Sequence, residues 1–361
     1  MIIHIIELLF VALMSLLYKA KIINRKTFIR ISFFSMAFVV GSRAPSVGED
    51  TQHFISIFNI SKNIPWKTCL ASGFDVVFSN VYSASKIEAG YLILNKIVAE
   101  ISSNEQLILY VVATGTFFFF GKFIDDNYRN PVIPTFYILC ESLYMNSFSL
   151  MRQILAISII VQAYTMIKRK QKIRAVLFAI IAFMIHKSVI VMFLIFYYEH
   201  VKKKKTLIKI TSIFTILIVL FYNQIVRIII FAVPRYATYF NDTIYDSSLG
   251  LGSFVFIAIE IIISILLFRK RNLEAENDVY ESISIMVPYL ALEIIGLRLA
   301  LFSRVAMVYK PLIARIYVDG QFAFSKKNRN VYIAMIFVLF VLMYLSYAGS
   351  PARYYTFFWE K

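Results

Sequence analysis

Apolar runs separated by short polar loops fill most of the chain: residues 2–18, 28–40, 106–120, 132–146, 154–167, 207–222, 254–268, 283–295, 299–317 and 331–347. Crossing the hydrocarbon core of a bilayer takes roughly 20 apolar residues in helical form, with a range near 17 to 25. The runs therefore predict transmembrane helices. Residues 175–198 allow two readings. As one helix the segment spans, but it then carries the lysines at 202–205 to the opposite side and inverts every later loop. Broken at His186-Lys187-Ser188, it forms a hairpin whose arms each reach only about 17 Å. The hairpin is the preferred expectation, because it keeps the basic loops on one side and a broken helix is tolerated where protein or a water-filled cavity covers its backbone.

From residue 53 to residue 105 the pattern is too polar and broken to span, yet it contains amphipathic pieces such as Phe54-Ile55-Ser56-Ile57-Phe58 and Tyr91-Leu92-Ile93-Leu94. These predict helices lying in the membrane interface. The expected fold is all-α: a single integral membrane domain over 1–361, a polytopic bundle of about 12 crossings. Residues 41–105 form an outer loop with interfacial amphipathic helices, and residues 175–200 a short helical hairpin.

Composition agrees with this picture. Hydrophobic residues make up 60% of the chain and charged residues 16%, against roughly half apolar and a quarter charged in ordinary soluble domains. The formal charge of +17 comes from basic loops at 19–30, 168–174, 202–205, 268–271 and 326–329. Short basic loops between apolar runs belong on the cytoplasmic side, which favours a membrane protein over a nucleic-acid binder. With these loops inside, both termini fall outside. The first run lacks a basic n-region and a small-residue cleavage site, so it reads as a retained helix. Cys69 and Cys140 make neither a disulfide framework nor a metal spacing. No phosphate loop, dinucleotide fingerprint, zinc box or lipase elbow is present, and no metal or cofactor is expected.

Once the sides are set, Arg43, Asp50, Arg152, Gln153, His186, Arg235, Tyr239, Arg298 and Arg304 collect at outer helix ends. Positive-inside bias depletes arginine there, so arginines retained at helix ends facing a bundle are functional candidates. Guanidinium is a planar fork that binds phosphate through two parallel bonds and keeps its charge. Several such groups make a cradle for a diphosphate. Each residue also has a plainer reading. Arg43 can cap its helix or pair with Asp50, and Glu49 and Asp50 sit in a Gly/Pro turn where a carboxylate bonds the turn backbone. His186 is either a structural histidine at a break or a base near neutral pH. Arg235 and Tyr239 share one face if their segment is helical, and Arg298 and Arg304 can snorkel to headgroups. Lys310 lies mid-span, where a lysine needs a partner or water. His4, His53 and His200 read as structural.

Arg43 followed by Val47-Gly48-Glu49-Asp50-Thr51, then Glu88-Ala89-Gly90-Tyr91-Leu92-Ile93-Leu94-Asn95, Met151-Arg152-Gln153-Ile154-Leu155-Ala156, His186-Lys187-Ser188 and Arg235-Tyr236-Ala237-Thr238-Tyr239-Phe240 occur in this order. In that order and spacing the chain resembles the EpsG family, bacterial membrane proteins of exopolysaccharide and capsule loci related to Wzy-type repeat-unit polymerases. Glu49 and Ala89 depart from it: the family usually has a small or hydroxyl residue at the first position and often proline at the second. The resemblance implies a metal-independent glycosyltransferase at the outer face of the bacterial cytoplasmic membrane. It would polymerise undecaprenyl-diphosphate-linked oligosaccharide repeats for capsule, exopolysaccharide or O-antigen, with a flippase and a chain-length regulator as further partners. Under that reading Arg43, Arg152, Arg235 and Arg304 bind the diphosphate, Asp50 or His186 deprotonates the acceptor hydroxyl, and Gln153 and Tyr239 orient substrate. A transporter of lipid-linked sugar or polysaccharide, or a glycan ligase, is the alternative.

Overall fold

Two of the helix starts fall where an asparagine side chain takes over a backbone amide. α1 (Ile2–Lys19) closes on a turn in which Lys21 adopts φ 61°. α2 (Arg25–Gly41) opens at Asn24, whose side chain accepts the Thr27 amide at 2.9 Å, one of the donors every helix start leaves unpaired. The computed structural model describes residues 2–71, 75–78, 85–193, 251–269, 276–296, 300–348 and 354–360, with single positions between 209 and 231.

After the loop that follows α2 come α3 (Thr51–Asn63) and α4 (Trp66–Ala71). A two-stranded antiparallel ladder pairs β1 (Asp75–Phe78) with β2 (Ser85–Glu88), Asp75 opposite Glu88. α5 (Ala89–Ile101) follows directly. α6 (Glu105–Asn127) is capped by Asn104, which accepts the Gln106 amide at 2.9 Å. The expected helix over 132–146 is two pieces, α7 (Val132–Cys140) and α8 (Ser142–Asn146), parted at Glu141 in extended conformation. The Ser142 hydroxyl bonds that carboxylate at 2.9 Å, holding the break in place. α9 (Met151–Lys168) and α10 (Lys172–Ile185) form an antiparallel pair. His186 is extended and a 3-10 turn, Lys187–Met192, comes next. The second arm of the expected hairpin lies outside the described residues, as do most of residues 194–250.

Two compact units result, Met1–Ile190 with Ala334–Lys361, and Val191–Ile333. In the first, α9 is the centre: nearly every side chain from Met151 to Met166 is buried, and its polar ones, such as Gln162 and Thr165, find hydrogen bonds there. α2 and α6 run antiparallel beside each other. Arg25 at the start of α2 pairs with Asp125 near the end of α6, and Gln106 at the start of α6 donates to the Gly41 carbonyl. Within lipid the hydrophobic effect does not press helix on helix, so close approach matters. At Gly121 a Cβ would stand 3.2 Å from the Phe33 ring, and larger residues would wedge the two helices apart. Across the centre, Gln162 donates to the Phe119 carbonyl at 2.8 Å and Asn127 to the Thr165 hydroxyl at 2.9 Å. His4 is buried among the rings of Tyr144, Phe148, Tyr344 and Tyr355, a structural setting.

The second unit holds α11 (Leu251–Arg269), α12 (Glu276–Gly296), α13 (Ala300–Ala306) and α14 (Lys310–Gly320). The single crossing expected over 299–317 is broken at 307–309, where Pro311 opens the second piece at a position that needs no amide donor. Lys310 is buried with its ammonium 3.9 Å from the Glu293 carboxylate, which offsets part of the cost of placing a cation there. Tyr317 donates to Glu260 at 3.1 Å. α15 (Lys326–Ala348) begins in this unit and ends in the first.

Among the described residues three helices are long and apolar enough to cross a membrane: Ile2–Lys19, Glu105–Asn127 and Lys326–Tyr347. Val255–Leu267 and Ile285–Gly296 are shorter apolar helices. The chain is a helical membrane protein, and the count of crossings rests on the sequence pattern alone.

Candidate functional site

Two loops far apart in sequence pack against each other at one end of the first unit. Gly48 takes φ 90°, and a Cβ on it would lie 2.1 Å from the Phe148 carbonyl oxygen. Only glycine satisfies both the backbone angle and the approach. The Glu49 amide donates to Ser149 Oγ at 3.1 Å, and Thr51 Oγ1 lies 3.0 Å from the Phe148 carbonyl. Arg43 sits beneath this seam with no exposed surface. Its guanidinium donates to the Val40 carbonyl and to Thr51 Oγ1 at 3.4 Å, approaches Met151 Sδ at 3.3 Å and lies 5.9 Å from the Phe148 ring centre. Burial pushes its pKa down to about 10, so it stays cationic at neutral pH. The C-terminal aromatic tail closes the same seam: Ala44 N donates to the Thr356 carbonyl at 2.9 Å and Phe358 N to the Ser42 carbonyl at 3.0 Å.

Arg152 occupies the first turn of α9, where the helix dipole disfavours a cation. A carboxylate from another element compensates it. Arg152 Nη1 donates to Glu88 Oε2 at 2.6 Å, and Glu88 Oε1 accepts the Lys187 backbone amide at 3.2 Å. Glu88 stands at the N-cap of α5 without capping it, because its carboxylate bridges the starts of α9 and of the 3-10 turn. Gly90 permits the bridge: a Cβ there would lie 2.7 Å from Met184 Cβ, so α5 and the end of α10 touch only with glycine. The Arg152 guanidinium lies 5.9 Å from the Tyr91 ring centre. Its Nε–H, although buried, meets no hydrogen-bond partner among the described residues.

His186 Nδ1 accepts the Ser188 amide at 3.2 Å and lies 2.8 Å from the Ser188 hydroxyl. An accepting Nδ1 leaves the proton of the neutral ring on Nε2, which makes the imidazole a donor rather than a base. Asp50 is half-buried at the N-cap of α3 and its side chain makes no capping bond. His53, one turn on, feels both neighbours: burial lowers its pKa below 6.5, Asp50 opposes that shift and Arg152 adds to it. Asp50, His53 and Arg152 therefore share one electrostatic neighbourhood. Gln153 is buried beside Arg152.

Arg43, Asp50, Arg152, Gln153 and His186 all belong to the first unit, whereas Arg304 lies exposed in the last turn of α13 in the second. Arg235, Tyr239 and Arg298 are outside the described residues. Two participants escaped the sequence reading. Glu88 stood in a quoted motif, but nothing in the pattern shows that its charge faces Arg152. His53 read as structural, and only the packing brings it within electrostatic reach of both Asp50 and Arg152. Among the described residues no three His, Cys, Asp or Glu side chains group as metal ligands.

The model of the EpsG family matches residues 26–359. The chain belongs to the EpsG family. Membership marks it as a membrane protein of polysaccharide biosynthesis. Comparison with curated proteins and with solved structures gave no match. The matched span contains every residue of the Arg43 seam and of the Glu88–Arg152 bridge.

Proposed function

We propose that this EpsG-family chain polymerises undecaprenyl-diphosphate-linked oligosaccharide repeats at the outer face of the bacterial cytoplasmic membrane, as a metal-independent glycosyltransferase. The observation that carries the reading is the state of Arg152: Glu88 grips Nη1 while Nε–H meets no partner among the described residues. A fork held on one side offers its other edge to a phosphate.

In the reaction, a hydroxyl of the incoming repeat attacks the anomeric carbon of the growing chain. The new glycosidic C–O bond forms as the bond from that carbon to the diphosphate oxygen breaks, and undecaprenyl diphosphate leaves with the electron pair. Charge on the leaving group is what the site must stabilise, and preorganised cations in a site shielded from water do this best. Arg152 supplies one cation and Arg235, from beyond the described residues, the second. Asp50 takes the hydroxyl proton, in keeping with its uncapped carboxylate. His186 donates through Nε2, Gln153 and Tyr239 orient substrate, and Arg43 acts as a positioning residue that holds the loop bearing Asp50.

Cells lacking the protein and complemented with Arg152→Ala or Arg235→Ala should make no long surface glycan while single lipid-linked repeats accumulate. Normal chain length with either variant sinks the assignment. Purified protein in liposomes, given lipid-linked repeats on one face only, separates polymerisation from transport: linked product supports the former, and movement without linkage refutes it.

A further inference from the structure

A furrow of about 450 Å³ opens between α2 and α6 on the first unit, toward the helix ends opposite Gly41 and Gln106. Its length follows the helix pair from Lys26 to Ala37, and its two halves differ in chemistry. The half toward Ala37 is apolar except for Thr114, flanked by Phe34, 70% exposed, and Phe118, 62% exposed. The end half carries Lys26, Arg30 and Lys122.

The charges there do not balance. Lys122 pairs with Asp126 at 3.0 Å, and Asp125 is engaged by Arg25. Lys26 and Arg30 are exposed, one helical turn apart on the same face, and meet no acidic partner among the described residues. Two like charges at this spacing repel, so the pair gains from an anion. A trough with a cationic end and an apolar length fits a molecule with a phosphate at one end and an acyl chain at the other.

We propose that this furrow binds one anionic phospholipid of the phosphatidylglycerol type, from the leaflet on the side of the basic loops. The phosphate lies between Lys26 and Arg30, where guanidinium gives two parallel bonds to phosphate and ammonium a point charge. One acyl chain lies along Phe34 and Phe118, with the small Ala37 leaving room for its end. The site is separate from the seam at Gly48 and from Arg152, and does not depend on the polymerase reading.

The test is native mass spectrometry of the full chain in detergent, titrated with phosphatidylglycerol or phosphatidylcholine. The wild type should prefer phosphatidylglycerol, and Lys26→Gln/Arg30→Gln should weaken its binding by about tenfold, in line with the attraction of basic residues to anionic lipid. Lys326→Gln/Lys327→Gln, which removes two exposed cations elsewhere, should leave it unchanged. A phosphatidylglycerol carrying a diazirine in its acyl chain should crosslink to the peptides containing Phe34 and Phe118. Equal binding of the two lipids, indifference to Lys26→Gln/Arg30→Gln, crosslinks confined to other helices, or displacement of phosphatidylglycerol by undecaprenyl phosphate at equal concentration would each overturn the proposal.

Discussion

Arg152 Nη1 lies 2.6 Å from Glu88 Oε2, tying the first turn of α9 to the residue that opens α5. The Glu88 side chain is 9% exposed and that of Arg152 18%. At this depth the loss of one partner leaves the other charge poorly solvated, at a cost of about 3 kcal/mol. Glu88→Ala and Arg152→Ala should each lower thermal stability in detergent, and Glu88→Ala/Arg152→Ala should destabilise by less than their sum. A coupling near zero in that cycle removes the bridge. Activity should divide differently: Arg152→Lys keeps a charge but cannot present a fork, so polymer should fall steeply although the fold survives.

Gly90→Ala tests how the bridge is assembled. The added methyl meets Met184 Cβ at 2.7 Å and its carbonyl oxygen at 2.8 Å, so α5 must move off α10 and carry Glu88 away from the Lys187 amide. Overpacking of this kind costs about 1 to 3 kcal/mol. Gly115→Ala serves as control, since its methyl meets only Leu155 Cδ1, at 3.4 Å. The midpoint of thermal unfolding should drop for the first variant and hardly move for the second.

These contacts mark the limit of what the chain reveals unaided. Helix positions such as Ile2–Lys19 and Arg25–Gly41 follow from apolar runs and polar ends, which are local. The breaks at Glu141 and at 307–309 are not, because at the first only Glu141 and Ser142 interrupt the apolar residues on either side, too little to announce a break. The break depends on where a buried carboxylate finds its bond. Arg43 illustrates the same limit within the site. Its sequence position suggested a phosphate ligand, yet its fork is engaged by Val40, Thr51 and Met151, partners fixed by tertiary packing. Glycines were more informative: Gly48 and Gly90 both fall in family motifs, and each marks an approach that no side chain allows.

The aromatic tail is tied to the seam: Phe357 bridges Arg43 and the Tyr355 hydroxyl donates to the Val39 carbonyl at 2.8 Å. Removal of residues 354–361 should therefore loosen the seam. Amide hydrogen exchange over residues 41–51 should speed up by at least tenfold, about 1.4 kcal/mol of lost protection. Unchanged exchange would mean that the seam stands without the tail.

His53 offers a check on the site that needs no substrate. Burial holds its pKa below 6.5, so below that pH the unfolded chain binds a proton that the folded chain refuses. Stability from this source is complete above pH 6.5 and declines as pH falls from there toward the folded value. Thermal midpoints should drop over that window, and His53→Gln should flatten the decline. The two neighbours give opposite signs. Arg152→Ala removes a cation that lowers the pKa, so the His53 Hε1 resonance should titrate at higher pH; Asp50→Asn removes the carboxylate that raises it, so titration should move lower. Shifts of opposite sign put Asp50 and Arg152 both within electrostatic reach of one imidazole, as a base and an anion-binding cation in a single site require. If neither variant moves the titration, the two residues do not share a site, and the assignment of Asp50 as the proton acceptor falls with them.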